Sequence, residues 1–193
     1  MRNYDVPAPN HSIMFLAYPR PLAAALISER NHRFIDRAGL RGRPIPTCLL
    51  HVTLFSLGVY CEGEIPQELI TQAFKAAAMV VSPPIDIVMD RLQSFRRNSP
   101  TRPGVLTNSD GAEALQRFHD ELAKALIESG LKRFVKRSFT PHMTLFYDRR
   151  TFAPRVIDPV RWTMTEFVLV DSLRGRTMHV PLARWQLRGE PNG

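Results

Sequence analysis

Cysteine is scarce in this 193-residue chain. Cys48 and Cys61 are the only two, too far apart for a CxxC pair and too few to staple a domain of this length. Reduced thiols in a cytoplasm are the expectation. No apolar run approaches the roughly 20 residues of a membrane helix. The N-terminus lacks the charged-then-apolar pattern of a secretory signal. No membrane association is therefore expected, and the expected location is cytoplasmic. The chain also lacks a glycine-rich dinucleotide fingerprint, a P-loop, an HExxH helix and a cysteine-rich metal motif. Neither a cofactor nor a metal is expected.

Acidic residues are in deficit, 18 Asp and Glu against 26 Lys and Arg, which leaves a formal charge of +8. Such a surface suits an acidic partner, most simply nucleic acid, and equally suits a protein that is merely well solvated. The basic residues fall in short clusters: Arg41 and Arg43, Arg96 and Arg97, Lys132 to Arg137, Arg149 and Arg150, Arg174 and Arg176. None is long enough to be a disordered basic tail. With 44% hydrophobic and 23% charged residues, the chain can build a real core as one domain, or as one domain of two similar lobes. Residues 1–10 and 189–193 have tail composition. A monomer is expected.

Along the chain, strands and helices mix without the regular alternation of a doubly wound parallel sheet. HSIMFLAY (11–18) reads as a strand and LLHVTLFSL (49–57) as another, with Gly58 ending it. IDIVMDRLQSF (85–95) reads as a long strand, with Val105 to Thr107 as a short partner. Further strands are expected at 143–147, 167–171 and within 177–187. One helix starts at Pro21, with Leu22, Leu26, Phe34 and Ile35 on its apolar side, and Gly39 suits its C-cap. A second starts near Pro66, with Leu69, Ile70, Ala73, Phe74 and Ala77 in a stripe. A third follows Asp110 and Glu113, which have capping-box spacing, and ends at Gly130. The fold class is α+β with a mostly antiparallel sheet.

One short internal repeat stands out. Residues 51–55 read HVTLF and residues 142–146 read HMTLF. Side chains at i, i+2 and i+4 of a strand share a face. His51, Thr53 and Phe55 are thus expected to project together, with Val52 and Leu54 in the core behind. His142, Thr144 and Phe146 repeat this over Met143 and Leu145. Two such strands on one cleft present two imidazoles and two hydroxyls to one ligand. Phosphodiester cleavage needs a base for the attacking oxygen and an acid for the leaving one, and histidine can do either near neutrality. Threonine hydroxyls can donate to phosphate oxygens as charge builds up, and β-branching holds them in place. A single histidine in an apolar strand is more often structural; the repeat reverses that judgement for these two. His32 and His119 are read as solvent-facing on helices, and His11 and His179 as structural. No third His, Asp or Glu lies at ligand spacing in either motif.

The chain resembles the two-histidine (2H) phosphoesterase superfamily, in its bacterial and archaeal 2'-5' RNA ligase / RNA 2',3'-cyclic phosphodiesterase branch. The pattern is a pair of H-x-[TS]-x motifs, His51-Val-Thr53-Leu and His142-Met-Thr144-Leu. FLAYP (15–19), RLQSF (91–95), the proline before His142 and TEFVLVDS (165–172) follow in family order, so the resemblance covers nearly the whole chain. It implies a bilobal fold of two mostly antiparallel sheets, with outer helices and pseudo-two-fold symmetry around a central basic cleft. It implies metal-free opening of RNA 2',3'-cyclic phosphate ends to 2'-phosphates, with reversible 2'-5' ligation in some members. By similarity His142 is the base activating water, His51 the acid for the 3' oxygen, and Thr53 and Thr144 hold the phosphate.

Two positions depart from the family. Tyr147 stands where an arginine often follows the second histidine, with Arg149 and Arg150 nearby. Ser56 stands where an aromatic usually follows the first, with Phe55 one position earlier. Candidate substrate contacts are Phe55, Phe146, Tyr147 and Arg149, the two phenylalanines being weighed against plain sheet packing. Two other readings remain at this point: a phosphodiesterase for a small cyclic nucleotide or ADP-ribose cyclic phosphate, and a non-catalytic RNA- or nucleotide-binding module.

Overall fold

Proline sets where two of the helices begin. In the computed structural model, which describes residues 10–61, 65–96, 98–136 and 138–189, Pro21 opens helix α1 (Pro21–Arg37), where a missing N–H costs no helical bond. Pro66 is the N-cap of α2 (Gln67–Ala78). Helix α3 (Glu113–Glu128) starts differently from the capping box expected. Its N-cap is Ala112 in the left-handed region, φ 52°, and the Asn108 carboxamide oxygen accepts the N–H of Asp110 (2.6 Å) and of Ala112 (3.2 Å). An Asx-type turn takes the part expected of Asp110. In α1 the buried stripe runs through Ala23, Ala24, Ile27, Asn31 and Ile35. Leu22, expected on that stripe, is off it and 88% exposed.

The strands are β1 (His11–Ala17), β2 (Arg43–Pro44), β3 (Val52–Tyr60), β4 (Ile85–Ser94), β5 (Arg102–Thr107), β6 (His142–Asp148), β7 (Arg155–Met164), β8 (Glu166–Leu173) and β9 (Met178–Gln186). Strand β7 is not expected from the sequence. Its interior proline, Pro159, argues against a central strand, and β7 in fact lies at the end of the sheet, where a missing N–H is tolerated. All pairings among the described residues are antiparallel. The tails expected at 1–10 and 189–193 fall outside the described residues except for Asn10 and Gly189.

In place of the two separate sheets expected, the strands form one path, β7-β4-β5-β6-β3-β1-β8-β9, with β2 beside β6. The motif strands β6 and β3 lie at its centre with three strands on either side. They are joined there through a single residue pair, Val52 and Met143. That thin seam separates two well-paired halves.

The main core fills one face of the sheet. Leu92, Leu106, Leu145 and Val160 lie beneath α1, while Phe118 of α3 meets Phe167 at 5.2 Å and Phe74 of α2 meets Trp185 at 5.6 Å. On the opposite face a smaller cluster forms from Leu16, Val168 and Val170, with Met14 and Tyr18 against it. Among the described residues no helix is long and apolar enough to cross a membrane.

Candidate active site

Both repeats fold alike, down to a shared irregularity. From His51 to Leu57 and from His142 to Asp148, half-buried, buried and exposed positions alternate in the same order. In β3 the pairing with β1 slips between Phe15–Phe55 and Leu16–Thr53, so Leu54 is an extra residue. In β6 the pairing with β5 slips between Gly104–Phe146 and Val105–Thr144, so Leu145 is the extra one. Each is a β-bulge, which reverses the facing of every residue beyond it.

The expectation that Phe55 and Phe146 share the face of the histidines is therefore corrected. Both are buried in the core, at 4% and 0% exposure, and neither can stack on a ligand in the cleft. Phe146 lies over Gly104, where a Cβ would overlap its ring. Beyond each bulge the open face resumes at Ser56 and Tyr147, both exposed. Arg149 is exposed in the turn after β6, its carbonyl 3.5 Å from the Arg102 guanidinium.

The two imidazoles are anchored identically. His51 Nδ1 lies 2.6 Å from the carbonyl of Leu49, and His142 Nδ1 lies 2.8 Å from the carbonyl of Thr140. A carbonyl only accepts, so Nδ1 must carry the proton in each ring. Nε2 is left as the working nitrogen, with a lone pair when the ring is neutral. The anchors sit on backbone that leaves little freedom: Leu49 ends a 3-10 turn (Thr47–Leu49), and Thr140 precedes Pro141. Burial holds the His51 pKa below its ordinary 6.5; the Leu49 carbonyl works the other way, and the charge of His142 lowers it further. The two histidines thus sense each other across the seam.

Three neighbours lie beyond the reach of the sequence. The ring of His179, expected to be structural, lies 5.1 Å from that of His51 at 69°. Tyr18, just beyond β1, hydrogen-bonds His179 Nδ1 at 2.7 Å and lies 6.3 Å from His51. Phe95, just beyond β4, lies 5.0 Å from His142. A pocket of about 230 Å³ opens beside the His142 loop, lined by Arg91, Gln93, Thr107, Asn108, Phe139 and Thr140 among others. Gln93 donates to the Thr107 hydroxyl at 3.1 Å. A larger cavity, about 910 Å³, lies away from the histidines, between α1 and β7.

The other histidines divide. His32 is exposed, as expected. His11 pairs with Asp171 at 2.5 Å, a structural link between β1 and β8. The expectation that His119 faces solvent is corrected: it is 6% exposed, stacked between Phe55 (4.2 Å) and Phe139 (4.0 Å). Its place on the amphipathic helix α3 turns it inward beside Leu115, Phe118 and Leu122. No group of three or more His, Cys, Asp or Glu among the described residues is placed to hold a metal ion.

Comparison with known proteins gives the family and matches the fold. The family model described as the 2'-5' RNA ligase superfamily matches residues 20–176. No curated protein matches the chain in sequence. Among solved structures, E. coli LigT complexed with NADP+ superposes with a TM-score of 0.68 at 24% identity, over 94% of this chain and 98% of LigT. TT0787 of Thermus thermophilus superposes with a TM-score of 0.68 at 23% identity, over 93% of this chain and 100% of that one. At these identities the two structures speak for the fold, and the family model for membership. A family match over most of the chain, within which both His-x-Thr strands lie, places this protein in the 2'-5' RNA ligase superfamily of 2H phosphoesterases.

Proposed function

We propose that this chain opens 2',3'-cyclic phosphate ends of RNA to 2'-phosphates without a metal ion, the whole chain acting as one domain of two lobes in the cytoplasm. The observation that carries the reading is the matched anchoring of His51 and His142. Each has Nδ1 tied to a carbonyl two residues back and Nε2 free for proton transfer. E. coli LigT, which shares the fold, has been crystallised with phosphate and with 3'-AMP. That supports a phosphorylated nucleotide as the ligand class.

In this reading the cyclic phosphate lies across the seam, its non-bridging oxygens accepting from the hydroxyls of Thr53 and Thr144. His142 Nε2 takes a proton from water as the water oxygen bonds to phosphorus. The bond from phosphorus to the 3' oxygen breaks, and His51 Nε2–H protonates that oxygen. A 2'-phosphomonoester and a free 3'-hydroxyl result. Each proton transfer contributes roughly 10²–10⁴-fold. The acid must be loaded in a site that disfavours charge on His51. The bound phosphate supplies the opposing negative charge. With the 5'-hydroxyl of a second RNA end in place of water, the same steps form a 2'-5' linkage, and cleavage of that linkage back to the cyclic phosphate exchanges the roles of the histidines.

The test is an oligonucleotide ending in a 2',3'-cyclic phosphate, compared with a mononucleotide cyclic phosphate. Turnover of the oligonucleotide to a 2'-phosphate, lost in His51→Ala and in His142→Ala, supports the reading. Turnover of the mononucleotide alone moves the substrate to a small cyclic nucleotide. Tight binding without turnover of either makes the chain a binding module.

A further inference from the structure

Acid–base chemistry with two histidines leaves the third imidazole of the cleft without a task. His179 comes from β9, and its partner Tyr18 from the end of β1, so two separate strands of one half of the sheet converge on His51. The hydroxyl of Tyr18 meets His179 Nδ1 at 2.7 Å. Burial pushes the phenol up to about 12, so it stays protonated and donates. Burial, then the charge of His51, pushes His179 down to about 4. A neutral ring that accepts at Nδ1 carries its proton on Nε2. Among the described residues Nε2 of His179 has no hydrogen-bond partner, and it is not among the sealed, unsatisfied polar atoms of the core. The pair is thus a fixed, uncharged N–H donor in contact with the ring of His51.

The chemistry of its ligand follows from where that donor sits and from the lack, among the described residues, of a free cation beside it. Arg184, whose charge acts on Tyr18, is tied to Glu166 at 2.5 Å. Glu166 also accepts from Gln186 at 2.7 Å. A subsite for a second phosphate would keep such a cation free. The donor lies beside His51, which in the proposed reaction serves the 3' oxygen, and the uncharged oxygens next to that one are those of the ribose.

Resting on the proposed function of the site, we propose that His179 is a ligand-binding residue whose Nε2–H donates to a ribose oxygen of the nucleotide served by His51, with Tyr18 the positioning residue that fixes the donor's tautomer and plane. The site then selects a phosphate carried on a sugar over phosphate alone.

Calorimetric binding of 2'-AMP and of inorganic phosphate tests this in the wild type and in His179→Phe, His179→Gln and Tyr18→Phe. Phenylalanine keeps the ring and removes the donor; the glutamine amide reaches the place of Nε2. His179→Phe and Tyr18→Phe should weaken 2'-AMP by about tenfold, the worth of one good hydrogen bond in a shielded site. Both should leave phosphate within about twofold, and His179→Gln should recover most of the 2'-AMP affinity. Wild-type affinity for 2'-AMP in His179→Phe overturns the proposal, as does equal loss of phosphate and 2'-AMP, which would mark His179 as packing for His51. A wild type that binds neither ligand overturns both the proposal and the function beneath it. A wild type that binds 2'-AMP selectively through His179 but opens no cyclic phosphate keeps the proposal and overturns the reaction.

Discussion

His119 stacks on Phe139 with ring centroids 4.0 Å apart and planes 3° from parallel. Phe139 immediately precedes Thr140, whose carbonyl anchors His142. On its other side His119 stacks on Phe55, 4.2 Å away, in the strand that follows His51. This aromatic sandwich ties both motifs to α3 from behind. His119→Ala leaves a cavity there and should cost about 2–4 kcal/mol of stability, the usual range for emptying a buried site. It should also lower kcat. His119→Phe, which keeps three stacked rings, should retain both. Denaturant unfolding and steady-state kinetics on the two variants check this.

The burial of His51 makes a titration prediction. Its pKa should lie below the ordinary 6.5 in the free protein, because burial penalises the imidazolium and His142 repels it. Removing that repulsion in His142→Ala should raise the His51 pKa. Saturating phosphate, which brings negative charge, should raise it too. Histidine proton shifts followed by NMR across pH 4–8 measure all three. A fall of the pKa in His142→Ala would contradict the coupling.

Stability should follow the same groups. His51, His119 and His179 all have folded-state pKa values lowered by burial, that of His179 to about 4. As pH falls below 6.5 the unfolded chain takes up protons that the folded chain refuses, so stability drops. Above 6.5 all three are neutral in both states and contribute no pH dependence. Tm should therefore decline from about pH 6.5 towards pH 4, and His119→Phe should shallow that decline. A Tm flat across this range would contradict the assignment.

Gly104 leaves room for the ring of Phe146 at the bulge of β6, where a Cβ would overlap the ring carbons. The ring is also held by Phe34 at 6.2 Å and Phe152 at 6.0 Å, so it has nowhere to retreat. Gly104→Ala should cost about 1–3 kcal/mol by overpacking. Because Val105 pairs with Thr144, catalysis should suffer as well. Thermal unfolding and kcat measured together check it.

The repeat itself is legible because four of five letters recur, and its α+β setting follows from apolar periodicity. The fate of Phe55 and Phe146 is not. Alternation predicts a face only while the strand is regular, and one extra leucine in each strand, Leu54 and Leu145, reverses it. His179 and Tyr18 are out of reach for another reason. They stand far apart in sequence, and only the pairing of β1 and β9 with β8 brings them together beside His51. The charged sequence neighbours of His119 point it to solvent, although the helical stripe of Leu115, Phe118, Leu122 and Leu126 passes through its side of α3.

The division of labour between the histidines has its own test. A substrate whose leaving group is acidic, such as a nitrophenyl phosphodiester, needs no proton from the enzyme. With His51 as acid, His51→Ala should recover most of its lost rate on that substrate while His142→Ala should not. The reverse pattern would exchange the roles.

The most direct measurement is phosphorus NMR of a short oligoribonucleotide ending in a 2',3'-cyclic phosphate, incubated with the purified chain in EDTA. Conversion to the 2'-phosphate by the wild type, abolished in both His51→Ala and His142→Ala, is the predicted result. Unchanged substrate, a 3'-phosphate product, or turnover only when a metal ion is restored would contradict it.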